Sequence, residues 1–224
     1  MSKLINIAID GPAGAGKSTI AKIISKTLGI IYLDTGAMYR AVAFKAINEG
    51  VDTKDADKLS KTIENIELKI LYKENIQRIY VDGEDVTDKI RTPEISTGAS
   101  NVAVVPEVRI KMVEIQREIA CQNSVVMDGR DIGTYVIPNA DLKIFLTASL
   151  EERAVRRHKE LLEKGAKESK LDDVKSDIEY RDKNDSSRAF APLSKASDAI
   201  EIDTTDMSVE EVAQKIISLV KGLQ

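Results

Sequence analysis

The sequence has few of the residues that build metal centres, disulfides and stacking platforms. Its 224 residues include one cysteine, Cys121, one histidine, His158, and no tryptophan. A single cysteine excludes a disulfide within the chain, and one cysteine with one histidine excludes a structural zinc site. Aromatic residues make up 4% of the chain, too few for a platform on which nucleic-acid bases stack. We expect Cys121 to be a small core residue in a helix and His158 to be solvated in another.

Long apolar runs and an excess of positive charge are also lacking. No apolar run approaches the length of a membrane span, and no signal peptide opens the chain, so we expect a soluble, cytoplasmic protein without a membrane partner. The formal net charge of −4 argues against general nucleic-acid binding. With 42% hydrophobic and 31% charged residues, the composition is that of an ordinary globular domain, and the length fits a single domain.

The strongest motif is Gly11-Pro-Ala-Gly-Ala-Gly-Lys-Ser18, which fits the phosphate-loop pattern G-x-x-x-x-G-K-[ST]. Residues 4–9 before it read as a buried strand, and the residues after it, as far as Leu28, read as an amphipathic helix. Such a loop turns backbone N–H groups toward phosphate at a helix N-terminus. Lys17 would reach the β- and γ-phosphates, and Ser18 would hold Mg²⁺. The alternative, a glycine-rich turn that matches by accident, is disfavoured by the flanking strand and helix.

The remaining pattern alternates short apolar strands with amphipathic helices. It predicts an α/β fold with a five-stranded parallel sheet and helices on both faces. The predicted strands of that sheet are residues 4–9, 30–33, 124–127, 142–146 and 199–202, and the predicted helices include residues 35–48, 54–59, 93–103, 106 onward, 150–164, 171 onward and 209 onward. Residues 66–72 and 78–81 alternate apolar and polar side chains and predict an antiparallel hairpin outside the parallel sheet.

Arginines follow the ends of several predicted strands. Arg40 comes after the second strand of the sheet and Arg130 after the third, at the edge where parallel sheets bind ligands. A solvated surface charge is the alternative for Arg40. Further side chains share single helix faces, namely Arg153, Arg156 and Arg157 in one helix and Arg181, Asp185 and Arg188 in the next. Because one phosphate loop accounts for one triphosphate, these arginines indicate a second phosphate-bearing ligand and favour a kinase over a simple NTPase.

Five stretches spread over the chain resemble one known family. They are Asp10-Gly-Pro-Ala-Gly-Ala-Gly-Lys-Ser18, Leu33-Asp-Thr-Gly-Ala-Met-Tyr-Arg40, Asp128-Gly-Arg-Asp-Ile-Gly-Thr134, Glu151-Glu-Arg-Ala-Val-Arg-Arg157 and Arg188-Ala-Phe-Ala-Pro-Leu193. Together they resemble the bacterial cytidylate kinases of the nucleoside-monophosphate kinase group. The predicted hairpin resembles the insert that distinguishes these enzymes from adenylate kinases.

The resemblance implies a P-loop kinase that transfers phosphate from MgATP to CMP or dCMP, in pyrimidine nucleotide metabolism. It implies small-molecule partners only, ATP and Mg²⁺ as donor and metal, and a monomer. The implied organisation of the single domain, residues 1–224, is a core of residues 1–60, 106–150 and 188–224, a nucleotide-binding insert of about 61–105, and a lid with flanking helices of about 151–187. Two alternatives stay open, another small-molecule kinase on this fold and a nucleotide-dependent regulatory module.

Carried over by position, the resemblance also implies a role for individual residues. The implied ATP contacts are Gly11, Pro12, Ala13, Gly14, Ala15, Gly16, Lys17, Ser18, Thr19 and the lid arginines Arg153, Arg156 and Arg157, with Ser18 as the metal ligand. The implied acceptor contacts are Arg40, Arg130 and Arg188 for phosphate, Arg181 and Asp185 for ribose, and Thr35, Ser100, Arg109 and Asp131 for the base. Lys17, Arg130, Arg157 and Arg188 form the implied catalytic set.

The sequence departs from the family pattern in two places, and it leaves two roles open for Asp131. The family often has serine where Thr35 stands, which keeps the hydroxyl, and positions 183, 184, 186 and 187 lack arginines that some members have. Asp131 is either a reader of the base or a structural ion-pair partner of Arg130 or Arg109. The three lid arginines are expected to have little to bury without a polyanion, so that the lid stands open when no nucleotide is bound.

Overall fold

The computed structural model describes residues 4–74, 76–163, 165–166 and 168–222. In chain order the strands are β1 (Asn6–Asp10), β2 (Ile31–Asp34), β3 (Leu68–Lys73), β4 (Ile76–Val81), β5 (Glu84–Asp85), β6 (Val125–Gly129), β7 (Leu142–Thr147) and β8 (Ile200–Asp203). The helices are α1 (Lys17–Leu28), α2 (Thr35–Asn48), α3 (Ala56–Asn65), α4 (Pro93–Val102), α5 (Pro106–Gln122), α6 (Leu150–Glu163), α7 (Leu171–Ser187) and α8 (Val209–Lys221), and a π-helical turn spans Ile132–Val136.

The main sheet confirms the predicted five parallel strands, in the order β2-β6-β1-β7-β8. The strand before the phosphate loop, β1, lies at its centre between β6 and β7. Residues Ile7, Ala8 and Ile9 of this strand are fully buried, as expected of a strand covered on both faces. The central position brings the loop that follows β1 to the middle of the sheet's carboxyl edge.

Each face of the sheet has its own apolar layer. Ile7 and Ile9 pack with α1 and α8 on one face, and Ala8 packs with α2, α5 and the inserted segment on the other. Alternate residues of a strand point to opposite faces, so a single strand supplies both layers. The sheet is therefore fixed from both sides, and the segments that leave its carboxyl edge are held in place.

The inserted segment forms a sheet of its own, as predicted, but with three antiparallel strands in the order β3-β4-β5. The prediction of a simple hairpin missed β5, because two residues are too short to show alternation. The predicted helix of residues 54–59 is α3 and runs later, Ala56–Asn65. Ile79 and Ile90 of the insert belong to the same apolar cluster as the sheet residues Leu33 and Met127, so the insert shares the core of the domain.

Two predictions about single side chains are wrong or need revision. Cys121 is exposed, because it lies beside the buried Ala120 and on the outward face of α5. His158 is half-buried, and its Nε2 lies 2.8 Å from the carbonyl oxygen of Ser169. Two helix starts are capped by side chains: Asp34 caps α2 by accepting from the N–H of Ala37, and Ser208 forms a capping box with Glu211 at the start of α8.

Within the described part of the chain, no helix combines the length and the apolar character that crossing a membrane requires.

The contribution of α3 to the shared core can be tested with two leucines. Leu59 of α3 is 0% exposed and Leu71 of β3 is 53% exposed. We expect Leu59→Ala to lower the free energy of unfolding by about 2–5 kcal/mol, because it leaves a cavity in the core, and Leu71→Ala to change it by less than about 0.5 kcal/mol. Urea denaturation of both variants measures this. Similar losses in the two would mean that α3 does not pack into the main core.

Candidate functional site

A cavity of about 1410 Å³ opens at the carboxyl edge of the main sheet. The segments that follow β1, β2 and β6 line it, together with residues of the insert, α4, α6 and α7. The predicted site residues that line this cavity are Ala13, Gly14, Ala15, Gly16, Lys17, Ser18, Thr19, Thr35, Arg40, Ser100, Arg109, Arg130, Asp131, Arg156, Arg157, Arg181, Asp185 and Arg188. Gly11, Pro12 and Arg153 lie outside this lining. The structure thus brings nearly all of the predicted residues together, while the ligand that each contacts stays a prediction.

The phosphate loop connects β1 to α1 in a conformation that requires glycine. Gly11 has φ +146°, and a Cβ atom at this position would lie 2.0 Å from the carbonyl oxygen of Leu146 in β7. Gly16 is the left-handed N-cap of α1, with φ 83°. Gly16 has no side chain that could cap α1, so its position leaves the N–H groups of the first turn facing outward to an anion.

Lys17 lies in the first turn of α1 and is buried. Its Nζ donates to the carbonyl oxygen of Pro12 at 2.6 Å, so the side chain folds back over the loop. Burial, and after it the charge of Arg130, lowers the pKa of Lys17 to about 7. A polyanion bound in the loop would offset both effects, because an opposite charge nearby favours the ammonium.

Ser18 contacts a carboxylate that the prediction of the site did not include. Its Oγ donates to Oδ2 of Asp128 at 2.8 Å, and the hydroxyl of Tyr32 donates to Oδ1 of the same residue at 2.8 Å. Asp128 is the last residue but one of the buried strand β6, which pairs with β1, so it comes to the carboxyl edge beside the phosphate loop. Burial raises the pKa of Asp128, and the charge of Asp34 raises it further.

At the other end of the cavity, five charged side chains form a chain of alternating sign. Arg109 donates to Oδ2 of Asp131, and Arg188 Nη2 lies 3.1 Å from Asp131 Oδ1. Arg188 also lies 3.6 Å from Asp185, which accepts from Arg130 Nε at 2.6 Å. Although burial would raise it, the pKa of Asp185 is lowered by the charges of Arg130 and Arg188. We call these five residues the arginine–aspartate chain.

A second cluster of charge surrounds Asp34, at the junction of β2 and α2. Its carboxylate accepts from Arg40 Nη2 at 3.0 Å and from Arg91 Nη1 at 2.9 Å. Gln77 of the insert accepts from the backbone N–H of Asp34 at 2.7 Å. Arg91 was not among the predicted residues. It lines the cavity beside Arg40, so the insert contributes a cation to the site.

The remaining predicted acceptor residues differ in how fully their polar groups are bonded. Thr35 is buried and its hydroxyl donates to the carbonyl oxygen of Asp128 at 2.6 Å. Ser100 Oγ accepts from Asn184 Nδ2 at 3.4 Å. Arg181 has a buried Nε with no hydrogen-bond partner among the described residues. Burial, and after it the charge of Arg130, lowers the pKa of Arg181 to about 10. An anionic or polar ligand could accept a hydrogen bond from Arg181 Nε and would favour the charged guanidinium.

The three arginines of α6 are already paired, contrary to the expectation that they would have little to bury. Arg153 is buried against the phosphate loop and bonds to Asp182. Arg156 donates to Glu152 and to the carbonyl oxygen of Thr204, and Arg157 donates to Glu160. The segment predicted as a lid extends beyond α6, and its residues 164 and 167 lie outside the described residues.

Comparison with known proteins agrees with this geometry. The sequence model of the cytidylate kinase family matches residues 7–222 of the chain. The chain belongs to the cytidylate kinase family. It is 50% identical to a cytidylate kinase of Bacillus cereus and 49% identical to one of Bacillus thuringiensis (strain Al Hakam), in each case over 223 residues that cover 100% of this chain and 99% of the relative.

A solved structure shows a similar fold at low sequence identity. An uncharacterized protein from Eubacterium ventriosum superposes with a TM-score of 0.53 at 14% identity, covering 97% of this chain and 98% of that one. This likeness concerns the fold alone. Membership of the cytidylate kinase family rests on the sequence comparisons.

The sequence contained a signal for one missed residue but not for another. Asp128 directly follows the predicted strand of residues 124–127, as the phosphate loop follows the first predicted strand, so its place at the carboxyl edge was open to prediction. Arg91 comes from the insert, and no local pattern indicates that it folds back onto Asp34.

Asp10, in the first family-like stretch, holds the turn that carries Asp131. Its two carboxylate oxygens accept from the N–H groups of Ile132 at 2.8 Å and Gly133 at 2.7 Å. Burial raises the pKa of Asp10 to about 6, against these hydrogen bonds and the charge of Lys17, which lower it.

This shift predicts a pH dependence of stability. A carboxyl whose folded pKa is raised binds more protons in the folded than in the unfolded state between pH 4 and pH 6, so its contribution to stability falls as the pH rises through that range. Asn at this position cannot titrate. We expect the free energy of unfolding of Asp10→Asn, relative to wild type, to rise between pH 4 and pH 7 by on the order of 1–3 kcal/mol. Urea denaturation at several pH values measures it, and a constant difference between the two proteins would contradict the assignment.

Proposed function

We propose that this chain is a cytidylate kinase that transfers the γ-phosphoryl group of MgATP to CMP or dCMP, giving ADP with CDP or dCDP. The observation that supports this most strongly is the single cavity with a phosphate loop at one end and the arginine–aspartate chain at the other. A simple NTPase needs only the first of these. Two phosphate-binding regions in one cavity are what a phosphoryl transfer between two nucleotides requires.

The donor end would bind the ATP phosphates through backbone and side chain together. The loop of residues 11–19 offers N–H groups at the N-terminus of α1, and Lys17 lies within it. Arg156 and Arg157 line the same end of the cavity and would contact the phosphates when the lid closes. Closure would exclude water, which suppresses hydrolysis of ATP in favour of transfer.

The residues beside the phosphate loop fit a magnesium ion. Ser18 Oγ and Asp128 Oδ2 are hard oxygen ligands 2.8 Å apart, and Mg²⁺ is commonly held by one or two protein oxygens together with water and substrate phosphates. When bound, the ion would neutralise charge on the β- and γ-phosphate oxygens. Tyr32 donates to the other oxygen of Asp128 and so fixes the direction in which Oδ2 points.

The acceptor end would bind the phosphate of CMP through Arg40, Arg130 and Arg188, and its ribose through Arg181 and Asp185. Arg40, Arg130 and Arg188 form ion pairs with aspartates before any ligand binds, so these side chains lose little conformational freedom on binding. Phosphoryl transfer depends mainly on alignment and charge stabilisation, and the arginines with Lys17 would supply both. No covalent intermediate with the protein is needed.

The base would be read by Thr35, Ser100, Arg109 and Asp131. Cytosine presents an amino donor at the position where uracil presents a carbonyl, and a carboxylate only accepts. In the structure Asp131 bonds to Arg109 and Arg188, which also fits the alternative of a structural ion pair. A carboxylate has about four acceptor directions, so two arginine contacts leave room for a base amine.

We propose further that the enzyme works as a monomer in the cytoplasm. Both halves of the cavity are built by one chain, so no second copy is needed to complete the site. The exposed thiol of Cys121 is suited to a reducing compartment. Analytical ultracentrifugation at assay concentrations tests the monomer.

The proposal is tested by measuring ADP release with CMP, dCMP, UMP, AMP and shikimate as acceptors. We expect CMP or dCMP to give the highest kcat/KM, and cytidine, which lacks the phosphate, to be a very poor acceptor. A preference for AMP or shikimate would indicate another small-molecule kinase. ADP release that no acceptor stimulates would indicate a nucleotide-dependent regulatory module.

The role of Lys17 is tested by Lys17→Ala. We expect turnover to fall by about 10²–10³, because the variant loses the ammonium that stabilises charge on the transferring group. Lys111→Ala, which removes an exposed lysine of α5, serves as the matched control. Steady-state kinetics with CMP and ATP give the comparison. A folded Lys17→Ala protein with the turnover of the control would contradict the donor-site assignment.

The role of Asp131 is tested by the ratio of kcat/KM for CMP to that for UMP. We expect Asp131→Asn to lower this ratio sharply, because an amide can donate to the uracil carbonyl, and sites built on specific hydrogen bonds can discriminate by up to about 10⁴–10⁵. If Asp131 acts only as an ion-pair partner, activity on both nucleotides falls alike. An unchanged ratio would therefore reject Asp131 as a reader of the base.

A further inference from the structure

The backbone of Ala13, in the phosphate loop, is held at both its N–H and its carbonyl group by the helices of the lid region. Its N–H donates to Oδ1 of Asp182 in α7 at 2.9 Å. Its carbonyl oxygen accepts from Nη1 of Arg153 in α6 at 2.9 Å. The same Nη1 lies 2.5 Å from Oδ2 of Asp182, so the two side chains and the backbone of Ala13 form a closed ring of hydrogen bonds.

The ring is anchored, and its arginine is buried while Asp182 is half-buried. Arg153 Nε donates to the carbonyl oxygen of Ala148 at 3.0 Å, which fixes the guanidinium in the plane that reaches Ala13. The methyl group of Ala13 packs with Ala154, Val174 and Ile178 in a small apolar cluster separate from the main core. A short, low-dielectric contact of this kind strengthens charge-assisted hydrogen bonds.

The next residue of the loop also meets Arg153. Gly14 has φ +78°, and a Cβ atom there would lie 3.2 Å from the backbone carbonyl oxygen of Arg153. The first turn of α6 is therefore packed directly beneath the loop. Arg153 itself does not line the cavity, unlike Arg156 and Arg157 of the same helix, so its charge acts on the loop backbone.

We propose that Arg153 and Asp182 are positioning residues that hold the phosphate loop in its anion-binding shape. This inference rests on the proposed function only in taking the loop as the site of ATP. The two side chains bond to the N–H and the carbonyl oxygen of Ala13 and do not occupy the N–H groups of the loop residues that follow. A loop fixed in this way loses less conformational entropy when it closes around phosphate, so the pair raises the affinity for the triphosphate and not for the acceptor.

The effect of removing Asp182 on the two nucleotide sites distinguishes positioning of the loop from general stabilisation of α7. Helix α7 also carries Asp185, which bonds to Arg130 of the acceptor end. If Asp182 merely stabilised α7, its loss would weaken both nucleotide sites. If it positions the loop, its loss weakens the triphosphate site selectively.

The experiment measures the dissociation constants of ATP, inorganic triphosphate and CMP separately, by calorimetry, for wild type, Asp182→Ala and Asp182→Asn. We expect Asp182→Ala to weaken ATP and triphosphate by about 10–100-fold, because it removes a charge-assisted hydrogen bond, and to change CMP binding by less than about threefold. Asp182→Asn keeps an oxygen that can accept from Ala13 but loses the charge that pairs with Arg153. It should show a smaller loss in the same direction.

Glu179→Gln is the matched control, because it removes one carboxylate from an exposed position of the same helix. It should leave all three constants unchanged. Equal weakening of ATP and CMP, or an unchanged affinity for triphosphate in the aspartate variants, would overturn the proposal. If Asp182→Ala does not fold, Asp182→Asn provides the same comparison. Because binding is measured directly, the result does not depend on which acceptor the enzyme phosphorylates.

Discussion

The acceptor end of the site depends on the arginine–aspartate chain, Arg109–Asp131–Arg188–Asp185–Arg130. Arg109 is 1% exposed, and an unpaired charge at such a depth would be very costly. Alternating signs remove this cost, and each aspartate fixes two guanidinium groups at once. The arrangement adds little to stability compared with an apolar core, but it holds cations ready for an anion. The pairing of opposite charges thus explains why the structure tolerates so many buried charges around one cavity.

The main sheet decides how the two ends of the cavity face each other. Because β1 and β6 are neighbouring parallel strands, the phosphate loop and the turn that follows β6 leave the same edge side by side. Asp128 therefore meets Ser18, and Arg130 lies close enough to Lys17 to lower its pKa. Helix α7 crosses both ends, through Asp182 at the loop and Asp185 at Arg130. One helix therefore contacts both the phosphate loop and the arginine–aspartate chain.

Local patterns allowed much of this to be predicted from the sequence. The phosphate loop is a contiguous motif between a strand and a helix, and the five parallel strands are short apolar runs, so both were accessible without any tertiary contact. The family resemblance then supplied the residues of the acceptor end, which the structure gathers around the cavity.

Other features depend on contacts between distant segments, which no local pattern records. The burial of Arg153 beneath the loop needs Asp182, 29 residues further along the chain. The contact of Arg91 with Asp34 crosses 57 residues. Strand β5 is two residues long and forms only because β4 lies beside it. Cys121 is the residue after the buried Ala120 in α5, so it lies on a different side of the helix and is exposed. The apolar character of the two residues does not reveal which of them faces the core.

We propose that one cavity holds the phosphates of ATP and of the acceptor nucleotide end to end. A single molecule in which five phosphates join adenosine to cytidine would occupy both ends at once, and its binding is the most direct measurement. We predict one molecule per chain by calorimetry, with an affinity at least about 10²-fold above that of ATP alone, because linking makes the second contact intramolecular. An affinity no higher than that of ATP, or two molecules bound per chain, would contradict the account.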